Sequence, residues 1–489
     1  MTTSPAATRG AIDHLDTRLS VGGVRRDAAT GRTFGVENPA TGEIVCEVAD
    51  ANAADALDAL DAAAAAQDGW AATAPRERSE ILRRAHDALV ARTDEIAELI
   101  TLEMGKSLAE SRGEVAYGAD FLRWYAEEAV RIAGEWRVNG AGDGRILTMR
   151  QPVGPCLLIT PWNVPLAMPT RKIGPAIAAG CAMILKPAEQ TPLTALLVAD
   201  VLAEAGLPDG VLSVLPTSDP APVSDVLMRD PRLRKVSFTG STEVGRLLLE
   251  KSAGTVLRTS MELGGNAPFV VCADADVDAA VAGAMIAKMR NIGEACIAAN
   301  RFLVHADVVE EFATKLAARM GSLDVGDGNA DGPRVGPLID AAARDKVAGL
   351  VADATASGAR TLVGGTVPDG AGYFYPPTVV TDVPPSARIN REEIFGPVAS
   401  LSVFHDEDDA IRRANDTPAG LIAYLFTRDV GRAVRLAERL HTGMVGLNRG
   451  YVSDASAPFG GVKQSGLGRE GGSAGIAEYL ETKYVAFGL

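Results

Sequence analysis

Of the five cysteines in the chain, one is placed for chemistry. Cys296 ends the stretch Asn291-Ile292-Gly293-Glu294-Ala295-Cys296, and a carboxylate, Glu262, lies 34 residues upstream (296 − 262) in Met261-Glu262-Leu263-Gly264-Gly265-Asn266. The nucleophilic form of cysteine is the thiolate. Cys296 follows a glycine and an acidic residue at the end of the helical-looking segment DAAVAGAMIAKMRN, where a thiol can face a ligand and be tuned toward thiolate. The other four, Cys46, Cys156, Cys181 and Cys272, lie in or beside apolar runs such as PCLLIT and PFVVCAD and read as small core hydrophobes. Alone, a cysteine after Gly-x-x is more often structural, so its company decides.

That company sits where short apolar strands end. In Thr160-Pro161-Trp162-Asn163, two ring-constrained neighbours fix a loop whose asparagine amide can donate to a developing oxyanion; the plainer reading is a turn-forming Asn. In Lys186-Pro187-Ala188-Glu189, a lysine and a carboxylate are placed to bind sugar hydroxyls. A carboxylate there chelates a ribose and repels a 2′-phosphate, so Glu189 leans toward NAD over NADP, and a solvated ion pair is the alternative. In Phe238-Thr239-Gly240-Ser241-Thr242-Glu243-Val244-Gly245, first-turn amides and the Ser241 hydroxyl are placed to receive pyrophosphate. The glycines there are five apart (245 − 240), which is neither G-x-G-x-x-G nor a Walker loop, and an ordinary capped helix would read the same way.

The elements that hold these groups show in the hydrophobic period. From residue 153, PCLLIT, CAMILKP, VLSVLP and RKVSFTG are separated by helix-length segments, the α/β pattern of a parallel sheet wrapped by helices, with ligands at the carboxyl ends of the strands. Upstream, residues 20–50 alternate strand-like pieces with turns such as Asn38-Pro39-Ala40-Thr41-Gly42. Helices are expected over ANAADALDALDAAAAAQDGW, RERSEILRRAHDALVARTDEIAELITLEMGKSL and FLRWYAEEAVRIAG, with Glu103-Met104-Gly105-Lys106 as a helix end. EWRVNGAGDGRILTMRQP, residues 135–152, reads as a hairpin.

At 489 residues the chain exceeds one ordinary core, and 47% hydrophobic with 23% charged residues describes a soluble globular protein. No apolar run approaches the ~20 residues of a membrane helix, and the amino terminus lacks the blocks of a signal peptide. Five unevenly spaced cysteines make neither a disulfide framework nor a CxxC metal pair, so no metal site and a reducing cytoplasm are expected. A formal net charge of −15 excludes a nucleic-acid partner and requires a local basic pocket for any anionic substrate.

PWN, KPAEQTP, FTGSTEVG, MELGGNAP, GEAC, EEIFGP and APFGGVKQSGLGRE follow one another in an order and spacing that resembles the aldehyde dehydrogenase superfamily, from NPATG near residue 40 to the carboxyl terminus. The resemblance implies an aldehyde dehydrogenase-like α/β fold. Its parts would be a Rossmann-type cofactor domain (1–134 and 153–260), an α/β catalytic domain (261–450), and a small β oligomerisation or bridging element with the carboxyl-terminal tail (135–152 and 451–489). It also implies roles. Cys296 would attack the aldehyde carbon, the Asn163 amide and the Cys296 N–H would hold the oxyanion, and Glu262 would activate the water that hydrolyses the thioester. Lys186, Glu189 and Ser241 match the family's adenosine-side and phosphate contacts, Glu393 and Phe395 its nicotinamide side, Trp162 the pocket wall, and Glu481 a second acid with a proton-relay role. NAD is the expected cofactor, with NADP as the alternative, and a homodimer or homotetramer the expected assembly.

Arg171 lies eight residues after Asn163 (171 − 163) and Arg290 six before Cys296 (296 − 290). Either alone reads more readily as the partner of an internal carboxylate or as part of a subunit contact; together, flanking the site, they look like a clamp for a carboxylate. This resembles the succinate-semialdehyde branch of the superfamily, in which a serine matching Ser453 joins the two arginines. The substrate so implied is a small aldehyde with a distal carboxylate, oxidised to the acid; the alternative is a broad aliphatic or aromatic aldehyde dehydrogenase whose arginines are structural. Ala298 occupies the position of a second cysteine in some members of that branch, so no disulfide switch beside the nucleophile is expected.

Overall fold

The computed structural model describes residues 12, 14–330 and 334–488. An eight-stranded sheet runs, from edge to edge, Gly466–Leu467, Arg258–Glu262, Lys235–Thr239, Cys156–Ile159, Met183–Lys186, Leu212–Val214, Leu19–Val21 and Val24–Arg26. The five strands from Arg258–Glu262 to Leu212–Val214 are parallel, and the outer three are antiparallel additions. CLLI, MILK, LSV and KVSFT are buried at every position, as strands covered by helices on both faces must be.

A seven-stranded sheet follows the order Arg360–Val363, Thr378–Thr381, Val398–Phe404, Ala299–His305, Ala267–Val271, Ile422–Phe426 and Met444–Leu447, parallel except for its first pair. Only residues 263–266 separate the last parallel strand of the first sheet from Ala267–Val271 of the second. Glu262 therefore ends one sheet, while Cys296 immediately precedes the strand Ala299–His305 of the other. Among the described residues no helix is long and apolar enough to cross a membrane.

The expected partition needs two corrections. A boundary at 260/261 would cut the strand Arg258–Glu262, which pairs along its whole length with Lys235–Thr239, so the first sheet extends through Glu262. The segment after 450, expected to supply both the bridging element and the tail, divides between two sheets. Gly466–Leu467 pairs antiparallel with Met261–Glu262 and closes the edge of the first sheet, whereas Leu480–Gly488 pairs with Gly144–Pro152, itself paired with Glu135–Val138. A two-residue strand carries no hydrophobic period, which is why the first of these was invisible in the sequence.

Candidate active site

The helix Val277–Met289 opens on an Asp276 cap, whose carboxylate accepts from Ala279 N–H at 3.0 Å, and runs into a tight turn, Arg290–Gly293. Asn291, Ile292 and Gly293 all adopt left-handed conformations, with φ of 56°, 60° and 79°. For Asn291 and Ile292 this is strained backbone, of the kind held only where surroundings over-determine it. Asn291 supplies much of the restraint. Its amide nitrogen donates to the carbonyls of Asn163 at 3.0 Å and Glu294 at 2.8 Å, and its N–H donates to the Glu110 carboxylate at 2.5 Å. The turn delivers Cys296 to the wall of a cavity of about 500 Å³.

Asn163 lines the same cavity, and its side-chain amide donates to Glu294 O at 2.8 Å. A primary amide carries two hydrogens, so one remains for a ligand. The loop that carries Asn163 is fixed from behind by a buried ion pair that sequence reasoning missed. Lys106 Nζ donates to the Asn163 carbonyl at 2.8 Å and pairs with Glu114 at 2.6 Å, while the other Glu114 oxygen accepts from Leu166 N–H at 2.7 Å where the next helix begins. Nothing local marks Lys106 beyond the helix end at which it falls.

Burial pushes the Cys296 thiol up to about 12, with Arg171 opposing and Glu393 and Glu262 adding to it. Burial thus favours the thiol, so that a neighbouring base is needed to take its proton. Glu262 is buried with neither carboxylate oxygen hydrogen-bonded, and burial, reinforced by the charge of Glu470, holds its carboxyl well above the usual range. Glu470 is itself buried, accepts from Lys172 Nζ at 2.5 Å and lies 3.5 Å from Arg171 Nη1; Lys172 also donates to Ser237 at 2.9 Å. The second acid near the site is therefore Glu470. Glu481, expected in that place, is exposed on the strand Leu480–Gly488 and pairs with Arg258 at 3.1 Å. The signal was present in the GLGRE segment, but nothing in the sequence shows which carboxylate folds back.

Trp162 and Phe395 face each other across the cavity wall edge to face, with centroids 5.4 Å apart at 89°. Glu393 accepts from Gly265 N–H at 3.0 Å, and burial pushes its carboxyl up to about 7. Thr239, at the end of its strand, has a buried hydroxyl with no partner. Ser241 caps the helix Thr242–Ser252 by accepting from Val244 N–H at 3.3 Å, so the oxygen read as a phosphate ligand is already engaged as a cap, with the helix amino terminus beside it on the cavity. Lys186 and Glu189 pair at 3.2 Å at the end of the strand Met183–Lys186, two strands away from Lys235–Thr239, and do not line this cavity. An orphaned hydroxyl, a helix amino terminus, an aromatic pair and a buried acid on one cavity fit the chemistry of a dinucleotide.

Arg171 lines the same cavity and is buried. Its guanidinium lies 4.3 Å from the Phe459 ring centroid and 5.0 Å from that of Phe121, and donates to the Tyr117 hydroxyl. With Glu470 beside it, Arg171 is partly answered from inside the protein, which is the internal pairing that its sequence position allowed. Arg290 differs: its guanidinium sits 4.5 Å from the Tyr451 ring centroid and 5.8 Å from that of Tyr117, and among the described residues no carboxylate forms an ion pair with it. Ser453 is buried and lines the same cavity. Tyr117, one turn before Phe121 on the helix Leu108–Ala129, touches both arginines and was not singled out from sequence.

Residues 26–485 match the sequence profile described as the aldehyde dehydrogenase family. A protein named succinate-semialdehyde dehydrogenase from Paenarthrobacter nicotinovorans is 60% identical over 423 residues, 86% of this chain and 94% of its own. One named glutarate-semialdehyde dehydrogenase from Pseudomonas aeruginosa is 48% identical over 96% of this chain and 97% of its own. The crystal structure of an E. coli NADP dependent enzyme superposes with a TM-score of 0.96 at 46% identity, covering 97% of this chain and 98% of that one. On the family profile, the identity and the shared fold together, this chain belongs to the aldehyde dehydrogenase family.

Proposed function

We propose that the chain oxidises succinate semialdehyde to succinate, with Cys296 as nucleophile, Asn163 and the Cys296 N–H as oxyanion donors, Glu262 as general base, and Arg290, assisted by Arg171 and Ser453, as the anchor for the distal carboxylate. The observation that carries the substrate is Arg290: a guanidinium on the wall of the nucleophile's cavity, paired with no carboxylate of its own. In a chain of net charge −15, such a cation marks where an anion is wanted. Anchoring one end of a short substrate sets how far its other end reaches, so the aldehyde carbon meets the sulfur in one register.

In this mechanism Glu262 takes the thiol proton as sulfur bonds to the carbonyl carbon, and the Asn163 amide hydrogen left over from Glu294 meets the resulting oxyanion. When bound, the dinucleotide supplies the hydride acceptor. Once the thiol proton has passed from Glu262 to solvent, Glu262 draws a proton from the water that attacks the thioester, the C–S bond breaks, the leaving sulfur takes that proton back, and the acid leaves with the thiol restored. Its burial keeps it basic enough for both transfers. The buried Lys172–Glu470 pair stands ready to adjust its charge.

Glu189 supports a preference for NAD over NADP. The adenosine-side and phosphate contacts fall on the first sheet, the nicotinamide-side contacts Glu393 and Phe395 and the nucleophile on the second; the assembly is a homo-oligomer, and five free thiols fit a reducing, cytoplasmic compartment. The deciding experiment measures kcat/KM for succinate semialdehyde, glutarate semialdehyde and an uncharged four-carbon aldehyde, each with NAD and NADP, in the parent and in Arg290→Ala. The expected result is a fall of about 100-fold or more for the carboxylated aldehydes on losing Arg290 and little change for the uncharged one. Equal losses would leave Arg290 structural. A higher value for glutarate semialdehyde would move the ruler by one carbon, in line with the similarity to the protein named for that substrate.

A further inference from the structure

The helix that leads to the nucleophile carries a lysine that the chemistry above does not use. Lys288 is fully buried, and among the described residues no carboxylate forms an ion pair with it. Its Nζ donates to the Gly396 carbonyl at 3.1 Å and to Asn300 Oδ1 at 3.4 Å. An ammonium in such a place is costly, and a methionine of the same length would fill the space without that cost. Burial accordingly pushes the amine down to about 7, with only Glu393 pulling the other way.

What Lys288 joins is informative. It lies eight residues before Cys296 (296 − 288), Asn300 lies four after it (300 − 296), and Gly396 follows Phe395 in the segment assigned to the cofactor. The two loops also meet through backbone, for a Cβ on Gly293 would lie 2.3 Å from the Gly396 carbonyl oxygen. Each loop contains bulky residues in left-handed conformation: Asn291 and Ile292 in one, and Phe395, at φ 56°, in the other. Two strained turns pressed together need something to hold them, and Lys288, on the helix that enters the nucleophile loop, ties Gly396 to Asn300 on the strand that leaves it.

We propose that Lys288 is a positioning residue: it clasps the cofactor loop Glu393–Gly396 to the nucleophile loop Asn291–Cys296, so that filling the cofactor site orders the segment that carries the thiol. The clasp rests on the reading of Glu393 and Phe395 as cofactor contacts. It makes the two events reciprocal, since whatever orders one loop lowers the cost of ordering the other.

The test is hydrogen–deuterium exchange of the full-length enzyme with and without NADH, read over residues 289–297 and 391–397, in the parent and in Lys288→Met. NADH is expected to slow exchange in both segments of the parent. In Lys288→Met it should slow only 391–397, the Kd for NADH from fluorescence titration should rise about tenfold, as for loss of one or two buried hydrogen bonds, and KM for NAD should rise more than kcat falls. A variant with a lower Tm but an unchanged Kd, and slowing retained in both segments, overturns the clasp. Should Lys288→Met not fold, the parent decides alone: slowing confined to 391–397 overturns the clasp and leaves the cofactor assignment standing. No slowing at 391–397 overturns the assignment of that loop and the clasp with it.

Discussion

Glu262 and Glu470 lie in a buried space in which Lys172, Arg171 and Arg469 oppose the charge on Glu262, and burial followed by Glu470 raises the Glu262 carboxyl well above its ordinary value. Rate through a general base rises as that base loses its proton, so the acid limb of the kcat profile should report Glu262. Replacing Glu470 by glutamine removes the repelling charge and leaves the three cations, so the limb should move to lower pH; a limb that stays in place would mean that Glu470 does not govern it. Glu262→Gln should instead abolish turnover and also slow the single-turnover burst of NADH, since the same carboxylate takes the thiol proton and activates the water; a burst of parental rate would confine Glu262 to thioester hydrolysis. Stability gives an independent reading. A carboxyl raised by folding holds a proton that the unfolded chain has released, so folded stability falls as pH climbs from the ordinary value of about 4.5 toward the raised one. The Tm of Glu262→Gln relative to the parent should therefore increase between pH 5 and pH 8; a constant difference would argue against the raised carboxyl.

Two helices that frame the site begin without side-chain caps of their own. Leu166 and Thr191 make no capping hydrogen bonds for Ala167–Ala179 and Pro192–Glu204, and carboxylates from distant helices take over. Glu114 accepts from Leu166 N–H, and Glu103, which burial pushes up to about 8, accepts from Leu193 N–H at 2.8 Å and Thr194 N–H at 3.0 Å. Glu114 also neutralises Lys106, which holds the Asn163 loop. Glu114→Gln keeps an acceptor for the helix but strands a buried ammonium, which should cost about 3–5 kcal/mol in urea unfolding and lower kcat as Asn163 drifts; unchanged unfolding would show Lys106 to be solvated. This scale also shows what the chain disclosed before folding. CLLI, MILK, LSV and KVSFT announce themselves because a doubly covered strand must be apolar throughout, and Cys296, Asn163 and Trp162 sit in motifs that travel together. Lys106, Glu114, Lys172 and Glu470 do not, because a lysine and a glutamate 298 residues apart become partners only through topology. Glu481 was placed in the relay for the same reason: sequence distance cannot show that its strand leaves the site and runs out along Gly144–Pro152.

That departing strand matters for the molecule as a whole. Glu135–Val138, Gly144–Pro152 and Leu480–Gly488 form a three-stranded sheet whose outer strands have free backbone edges. One face collects Trp136, Val138 and Phe487, with 61%, 50% and 41% of their surfaces exposed, and the first and last meet edge to face at 5.4 Å. Isolated apolar residues on a surface need no explanation, but aromatic rings clustered beside the free edge of a nine-residue strand form a surface that is costly for a monomer to keep in water. A second copy of the chain is the expected cover, offering both a backbone edge and an apolar face. Light scattering coupled to size exclusion should then give two or four times the 50.9 kDa of one chain. Trp136→Glu combined with Phe487→Glu places like charges on the covered face and should shift the mass toward the monomer at micromolar concentration, with a fall in Tm from the lost association. A parent that runs as a monomer, or a doubly substituted chain whose mass and Tm match the parent, would mean that this sheet stands in solvent and that its rings serve something other than assembly.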